Sequence, residues 1–287
     1  MRLLSFVIPG KQDIEWGVQV EDAAYSAMSV AASLADFAAL GEPAQNALRE
    51  LVESRRAPAY RLSEVRVVAP IQRPSKVVAI GQNYMDHCRE VNAPIPTRPI
   101  VFAKFPSSVI GPTDEIRWRS DLTTQVDWEV ELGVVIGRTT RRVSEEQALD
   151  YVLGYTVVND VTARDLQSGD GQWVRGKSPD TFCPMGPVIV TADEIPDPQS
   201  LGIRAWVNGA VMQDSNTREM VFGVRHLIAF LSQAFTLYPG DIIASGTPHG
   251  VGVGRTPPVF LSNGDVVEME IDQIGRLRNT CRIEDED

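Results

Sequence analysis

Short apolar runs rich in Val and Ile recur along the chain and are separated by residues that favour turns. The runs at residues 76–80, 132–136 and 155–159 are too short for typical helices and carry β-branched residues, which predicts buried strands. Apolar and polar residues alternate at 266–271 and 277–283, and this period of two predicts half-buried strands. The pattern therefore predicts an α+β fold that is mainly β.

Apolar residues at helical spacing predict the few helices of the fold. Residues 29–40 and 43–54 predict two helices near the N-terminus, and residues 224–235 predict one long amphipathic helix. A capping box at residues 144–147 predicts the start of a further helix that ends near Gly154. Helices are thus expected mainly at the periphery of a β structure.

Residues 1–70 are predicted to form a small N-terminal α/β domain, and residues 71–287 a larger domain. We place the boundary at a connector that contains Pro58, Pro70 and Pro74, because domain boundaries commonly fall in segments of this kind. A chain of 287 residues with 43% hydrophobic residues is long enough for one large β-rich domain and a smaller one. The first 70 residues show no pattern that indicates chemistry.

Charge and cysteine content exclude several classes of protein. The formal net charge of -11 argues against a nucleic-acid partner, because phosphate binding needs a basic face. The N-terminal apolar run is too short for a signal peptide, and no apolar stretch is long enough to span a membrane. Cys88, Cys183 and Cys281 match no zinc-binding pattern, so we expect reduced thiols in a cytoplasmic protein. The acidic tail at residues 284–287 is predicted to fray.

The strongest chemical signal is a group of carboxylates in the apolar runs. Glu129 and Glu131 lie two residues apart, so both side chains leave the same face of an extended strand, with Asp127 below them. Asp160 ends the next apolar run. A single E-x-E is more typical of the solvent face of an ordinary strand, but here the run continues into residues 132–136, a strand covered on both faces. Buried carboxylates repel each other, and a metal cation removes that cost.

A candidate base follows the strand at residues 76–80. If the chain after Asn83 forms a short helix, His87 and Glu90 lie at i and i+3 and can contact each other. Glu90 would then orient the imidazole while its other nitrogen acts as a general base. An isolated H-x-x-E is also typical of an accidental pair on a surface helix. Prolines follow Glu90, so the element is short and tethered by a loop, as in many lids.

Other polar residues lie near these candidates in the sequence. Lys177 occupies a loop between Gly and Pro residues. Arg164 either pairs with Asp165 on the surface, which stabilises little, or binds an anionic ligand. The glycine-rich loop at residues 246–254 lacks a following helix, so it does not match a nucleotide-binding fingerprint. It instead allows the backbone to approach a ligand closely, with the Thr247 hydroxyl as a donor.

Five motifs, in order, resemble the fumarylacetoacetate hydrolase superfamily, and in particular its bacterial acylpyruvate hydrolase branch. They are Gly81-x-Asn-Tyr-x-x-His87-x-x-Glu90, Glu129-Val-Glu131-Leu, Asp160-Val-Thr-Ala-Arg-Asp-Leu-Gln167, Gly176-Lys-Ser-x-Asp180 and Ser245-Gly-Thr-Pro248. The resemblance covers roughly residue 70 to the C-terminus. It implies a mixed β-sandwich roll as the catalytic domain and a homodimer as the assembly.

The resemblance also implies a metal centre and a catalytic group. The metal ligands would be Glu129, Glu131 and Asp160. Ligation by oxygen alone is typical of Mg²⁺ or Mn²⁺, one per subunit, and not of zinc. The catalytic residues would be His87 and Glu90, as the water-activating pair on a lid, together with Lys177, which would reach a metal-bound water or a substrate oxygen.

Four further residues match positions that line the substrate site in this family. They are Tyr84, Arg164, Gln167 and Thr247. His249 occupies a position that often holds a small or variable residue. The expected partner is a small anionic 2-keto acid.

The implied activity is metal-dependent hydrolysis of the C–C bond of a 2,4-diketo acid of the acylpyruvate type, which yields pyruvate and a carboxylic acid. His87 would activate the water, and Lys177 would stabilise the charge that develops on the substrate. The same metal chemistry would serve two alternatives. One is decarboxylation of oxaloacetate, and the other is isomerisation or hydration of an unsaturated 2-keto acid in aromatic or sugar-acid catabolism. A catalytically inactive metal-binding protein is an alternative of another class, against which the presence of both His87 and Glu90 argues.

Overall fold

The computed structural model describes residues 1–54 and 57–284 of the chain. Most of the acidic tail that was predicted to fray lies outside the described residues. The described strands are β1 (Arg2–Val7), β2 (Ile14–Val20), β3 (Ala23–Ser26), β4 (Ala59–Arg61), β5 (Arg66–Val68), β6 (Val77–Gly81), β7 (Ile100–Lys104), β8 (Val109–Ile110), β9 (Ile116–Trp118), β10 (Val126–Asp127), β11 (Val130–Ile136), β12 (Val152–Asn159), β13 (Thr162–Ala163), β14 (Cys183–Thr191), β15 (Gly202–Val207), β16 (Ala210–Asn216), β17 (Ile242–Ala244), β18 (Val266–Ile271) and β19 (Gly275–Ile283).

The helices are short and lie between these strands. They are α1 (Leu34–Leu40), α2 (Glu42–Ser54), α3 (Met85–Glu90), α4 (Arg164–Gly169), α5 (Val174–Lys177) and α6 (Val224–Ala234), with 3₁₀ turns at Leu62–Glu64, Pro106–Ser108, Ala148–Tyr151 and Thr217–Glu219. No helix in the described part of the chain is long and apolar enough to cross a membrane. The mainly β character predicted from the sequence is confirmed.

Two large sheets pack against each other. The first has twelve strands, in the order β4-β3-β2-β1-β14-β12-β11-β17-β6-β7 with β5 beside β1 and β8 beside β14, and the second has the order β16-β15-β18-β19-β9. The first sheet is mixed, since β11 pairs with β12 antiparallel and β17 pairs with β6 parallel. Leu132 of β11 and Met269 of β18 belong to one buried cluster, so the hydrophobic core lies between the two sheets.

The central strand β11 is buried at every position from Val130 to Ile136. It has β12 on one side and β17 on the other, and the second sheet covers one of its faces. The sequence predicted this burial from an apolar run without alternation. The strand is therefore a rigid support for Glu131.

The N-terminal strands continue the large sheet. Strand β1 pairs with β14 through Arg2 opposite Val190 and Leu3 opposite Ile189. Residues on both sides of the boundary predicted near residue 70 thus contribute to one sheet, and that boundary stays a prediction. Helix α1 begins later than predicted, at Leu34, because the Ser33 hydroxyl caps it by accepting the N–H of Asp36 at 3.1 Å.

The helix predicted to start at residues 144–147 is wrong. The chain forms only the 3₁₀ turn Ala148–Tyr151 and then enters β12 at Val152. Strand β12 pairs with β11 and β14, and it is rich in β-branched residues. Sheet pairing on both sides therefore outweighs the local capping signal.

Candidate active site

The structure brings the three predicted metal ligands together. Glu131 lies on β11, Glu129 lies in the break between β10 and β11, and Asp160 follows β12. The N–H of Asp160 donates to the backbone carbonyl of Glu129 at 2.9 Å, which holds the two segments side by side. One carboxylate oxygen from each of the three residues lies within 4.8 Å of the others, and all three side chains are buried.

Asp127 was expected next to these carboxylates, but it has partners of its own. Its Oδ2 lies 2.8 Å from Nε of Arg164, and its Oδ1 accepts the N–H of Gly252 at 2.7 Å. Oδ2 also accepts the N–H of Val253 at 3.0 Å. Asp127 therefore connects Arg164 to the glycine-rich loop.

Two buried lysines lie between the carboxylates. Nζ of Lys177 is 2.7 Å from Oε2 of Glu129 and 2.7 Å from Oδ2 of Asp160. Nζ of Lys104 donates to Oδ1 of Asp160 at 2.6 Å, to the carbonyl of Val161 at 3.1 Å and to the carbonyl of Lys177. Lys177 is the last residue of α5, and not part of a loop as predicted. Lys104 was not singled out from the sequence, although a lysine that ends an apolar strand is a weak signal.

The pKa values reflect this crowding of charge. Burial and the carboxylates of Asp160 and Glu129 raise the pKa of Glu131 well above its ordinary value. Burial opposes the charged form of Glu129, but Lys177 and Arg164 lower the pKa of Glu129 overall. Burial likewise opposes the charged form of Lys177, yet Asp160 and Glu129 raise the pKa of Lys177, so the lysine stays protonated.

The residues present fit a divalent cation. Four buried carboxylates, Asp127, Glu129, Glu131 and Asp160, face three buried cations, Lys104, Arg164 and Lys177. Among the described residues no cation forms an ion pair with Glu131, whose Oε2 only accepts the N–H of Gly246 at 2.9 Å. A cation between the three predicted ligands would remove this excess of negative charge. Because the donors are carboxylate oxygens, the site fits Mg²⁺ or Mn²⁺.

His87 and Glu90 form the predicted pair on α3. Nδ1 of His87 lies 3.0 Å from Oε2 of Glu90, and Oε1 of Glu90 accepts the N–H of Gly250 at 2.8 Å. The side chains are only 12% and 17% exposed, so the alternative of an accidental surface pair does not apply. Glu90 holds Nδ1 of the ring, which leaves Nε2 as the nitrogen that is free to exchange a proton. The role of this segment as a lid stays a prediction.

The neighbours of His87 fix α3 in place. Asp86 accepts the N–H of His87 at 2.7 Å through Oδ1, and through Oδ2 it contacts Ser215 Oγ at 2.6 Å and His249 Nδ1 at 3.0 Å. Cys88 is buried, and its pKa is raised by burial and by the charge of Asp86. All three cysteines of the chain are buried and unpaired, in agreement with their prediction as free thiols.

A cavity of about 270 Å³ joins these groups. Of the predicted site residues, it is lined by His87, Glu129, Glu131, Arg164, Gln167, Lys177 and Thr247. Glu90 contacts His87 and Asp160 contacts Lys177, but neither carboxylate lines the cavity. Tyr84 is fully buried outside the lining, and its hydroxyl has no hydrogen-bond partner among the described residues. Its pKa is raised by burial and by the charge of Glu131.

The polar lining residues are held by partners behind them. Nη2 of Arg164 is 2.6 Å from Oε1 of Glu129, whereas Asp165 accepts the Thr123 hydroxyl at 2.6 Å, so the surface pair of Arg164 with Asp165 is wrong. Gln167 accepts Nη1 of Arg164 at 3.1 Å. Thr247 Oγ1 accepts an N–H of Gln213 at 2.9 Å. His249 is 47% exposed and does not line the cavity.

Several lining residues were not singled out from the sequence, among them Gln82, Phe102 and Trp173. Gln82 has a φ of 51°, in the left-handed region that non-glycine residues seldom adopt. The rings of Phe102 and Trp173 meet edge to face, with their centroids 5.4 Å apart. Positive φ values and ring contacts depend on tertiary structure, so a single sequence gives no signal for them.

Comparisons with known proteins place this site in context. Residues 76–282 match the family model described as fumarylacetoacetate (FAA) hydrolase C-terminal. The chain is 45% identical over 288 residues to the mitochondrial oxaloacetate tautomerase fahd2 of Xenopus laevis, covering 97% of this chain and 89% of that protein.

Two solved structures are similar over nearly the whole chain. The fumarylacetoacetate hydrolase from psychrophilic Exiguobacterium antarcticum has a TM-score of 0.89 and 39% identity, and 99% of this chain and 100% of that chain are covered. The maleylpyruvate hydrolase from Sphingobium sp. SYK-6, solved in complex with manganese (II) ion and pyruvate, has a TM-score of 0.84 and 31% identity, with the same coverage of 99% and 100%. The fold therefore recurs in both structures, and one of the two was solved with a divalent metal.

Proposed function

Because this chain belongs to the fumarylacetoacetate hydrolase family, we propose that it is a divalent-metal-dependent enzyme that interconverts the enol and keto forms of a small 2-keto acid of the oxaloacetate type. The observation that carries the proposal is that His87, supported by Glu90, borders the same small cavity as Glu129 and Glu131. The name of the Xenopus laevis relative, an oxaloacetate tautomerase, supports this choice of reaction.

The predicted ligands Glu129, Glu131 and Asp160 would hold the metal. When bound, Mg²⁺ or Mn²⁺ would supply positive charge that stabilises negative charge on the 2-oxygen of a 2-keto acid. Lys177 adds to this electrostatic support. An ammonium group has three N–H donors, and in this structure Glu129 and Asp160 take two of those of Lys177, which leaves one for a substrate oxygen.

His87 would transfer the proton at the carbon next to the keto group. In the direction from enol to keto form, the enol hydroxyl loses a proton and C3 gains one, so no other reactant is consumed. Nε2 of His87 exchanges the proton, while Glu90 orients the ring and stabilises its protonated form. The N–H of Gly250 in turn fixes Glu90. One base and one electrostatic site are sufficient for this reaction.

Hydrolysis of a 2,4-diketo acid of the acylpyruvate type is the second candidate. It is favoured by the likeness to a maleylpyruvate hydrolase whose structure holds manganese and pyruvate. The same Nε2 of His87 would activate water, as predicted from the sequence. Decarboxylation of oxaloacetate, isomerisation or hydration of an unsaturated 2-keto acid, and metal binding without catalysis remain further alternatives within the same site.

The test compares the two leading reactions in one preparation. Decay of enol-oxaloacetate is followed by ultraviolet absorbance, and release of pyruvate from a series of acylpyruvates is followed by a coupled assay, each with Mg²⁺ or Mn²⁺ and after chelation. We expect the metal-loaded protein to accelerate enol decay above the rate in buffer, and His87→Ala to remove about 10²-fold or more of that acceleration. Pyruvate release without accelerated enol decay would favour the hydrolase.

Two further properties are proposals as well. The homodimer rests on the family resemblance, and sedimentation velocity tests it. The cytoplasmic location rests on the sequence, whereas the name of the Xenopus laevis relative carries the word mitochondrial. Fractionation of the source cells would separate the two locations.

A further inference from the structure

The cavity is lined by both charged and apolar residues. The charged residues are Glu129, Glu131, Arg164 and Lys177. The apolar residues, which we call the apolar wall, are Ile80, Val91, Phe102, Trp173 and Val253. Under the proposed function the carboxylate and keto oxygens of a substrate bind at the charged residues, so the remainder of the substrate contacts the apolar wall.

Phe102 contacts both Lys177 and Trp173. Nζ of Lys177 is 5.0 Å from the centroid of the Phe102 ring, and the Trp173 ring meets the same phenyl ring at 70° with the centroids 5.4 Å apart. The indole of Trp173 thus lines the cavity next to the ring that contacts Lys177.

The indole of Trp173 is held from behind by Gly81, the last residue of β6. A Cβ at position 81 would come within 2.4 Å of Cζ3 and 2.9 Å of Cη2 of Trp173, so the ring rests directly on the strand backbone. The carbonyl of Trp173 also accepts the N–H of Lys177 at 3.0 Å. The ring therefore cannot move toward β6 without a shift of that strand.

We propose that Trp173, supported by Gly81 and Phe102, is a specificity-determining residue that limits the length of the group beyond the keto carbon. The inference rests on the proposed function and narrows its substrate class to 2-keto acids with a short chain. The cavity of about 270 Å³ is slightly smaller than the roughly 300–1,000 Å³ of sites that hold drug-sized ligands.

The test measures binding of unreactive analogues of increasing length. Oxamate, N-methyloxamate, N-butyloxamate and N-phenyloxamate all carry adjacent carboxylate and carbonyl oxygens, but they have no C–H next to the carbonyl to enolise. Their dissociation constants are measured by titration calorimetry with the Mn²⁺-loaded protein. We expect wild-type affinity to fall about 10-fold or more between the N-methyl and N-phenyl compounds, the usual scale of steric discrimination.

Trp173→Ala should reverse this preference. We expect N-phenyloxamate to bind the variant at least about 10-fold more tightly than the wild type. The affinity for N-methyloxamate should stay within about threefold of the wild-type value. Trp173→Leu is the second variant, because it retains apolar packing if the alanine variant does not fold. Val253→Ala, which shortens another side chain of the same wall, is the matched control and should leave the length preference unchanged.

The outcomes separate this inference from the proposed function. If wild type binds all four analogues equally, or if both Trp173 variants weaken every analogue by the same factor, the length limit is wrong although the 2-keto-acid site stands. The length limit is also wrong if Val253→Ala raises the affinity for N-phenyloxamate as much as Trp173→Ala does. If wild type binds no oxamate in the presence of Mn²⁺, both the proposed function and this inference are overturned.

Discussion

Single buried charges decide the properties of this site. Lys104 is fully buried and donates hydrogen bonds to Asp160 and to two backbone carbonyls. Lys177 forms a second ion pair with Asp160. A buried ion pair adds little net stability, but removal of one partner leaves the other charge uncompensated. Each lysine is therefore necessary as long as Asp160 stays ionised.

Lys104→Met should lower the free energy of unfolding by about 3–5 kcal/mol, because Asp160 loses one buried cation. Saturating Mg²⁺ should recover part of the loss, since a metal also neutralises Asp160. Urea denaturation with and without Mg²⁺ measures both effects. Arg175→Met is the control, because Arg175 forms an exposed pair with Asp170, and it should change stability little. Equal losses in the two variants would contradict the prediction.

Glu131 is the carboxylate without a cationic partner, and its substitution should separate stability from metal binding. Glu131→Gln removes an uncompensated buried charge, so the metal-free protein should be at least as stable as the wild type. The rise in melting temperature that Mn²⁺ gives by mass action should largely disappear. Thermal unfolding across a Mn²⁺ series tests this. A metal-free variant that is much less stable, or that responds normally to Mn²⁺, would show that Glu131 is not a ligand.

At the scale of single residues, the sequence identified the groups that follow a spacing rule. Glu129 and Glu131 differ by two, and His87 and Glu90 differ by three, so strand and helix periods predicted their proximity. Lys104 and Trp173 follow no such rule. Their partners are distant in sequence, and only the folded chain brings them together.

Among the elements, α3 depends most on its neighbours. A helix of six residues is too short to be stable alone, so its position must come from tertiary contacts. Asp86 at its start contacts Ser215 of β16 and His249, and Glu90 at its end accepts the N–H of Gly250. The glycine-rich loop thus holds both ends of the helix.

His249→Ala should loosen α3 without affecting the metal. Amide hydrogen exchange within residues 85–90 should become faster, and turnover should fall, while Mn²⁺ affinity stays unchanged, because His249 contacts no predicted ligand. Exchange measured by mass spectrometry checks the first effect, and calorimetry checks the last. His226→Ala is a matched control, since His226 is also a partly exposed histidine paired with a carboxylate, that of Glu145. Unchanged exchange in α3 would show that the contact with Asp86 is incidental.

The sequence predicted the long elements better than the short ones. Helix α6 and strand β18 were predicted because each has enough residues to show a period, and β11 and β12 because each contains an apolar run rich in β-branched residues. Helices α4 and α5 have only six and four residues, too few for a helical pattern, so they were missed. They are nevertheless the elements that carry Arg164 and Lys177.

On the scale of the whole molecule, one sheet connects the N-terminal strands to the site. Strand β1 is hydrogen-bonded to β14, β14 to β12, and β12 to β11, which carries Glu131. Two predicted domains with separate cores would unfold separately. A continuous sheet instead predicts one cooperative transition.

Leu3→Ala tests this continuity. Leu3 is fully buried in a cluster that also contains Met185 and Ile189 of β14, so the variant should lose about 2–5 kcal/mol. Circular dichroism and Mn²⁺ binding should be lost at the same, lowered denaturant concentration. Ile14→Ala, at a residue that is 41% exposed, serves as the control and should shift the midpoint little. If Mn²⁺ binding persisted at denaturant concentrations at which the N-terminal strands are already unfolded, the two parts would be independent domains.

The buried thiol of Cys88 can serve as a chemical probe of whether α3 is docked. Its thiol is buried one residue after His87, and its raised pKa keeps the reactive thiolate scarce. An alkylating reagent can therefore reach it only while the helix is undocked. The rate of modification then reports how often His87, the proposed base, leaves the cavity. A bound 2-keto acid that keeps the helix in place should slow that rate.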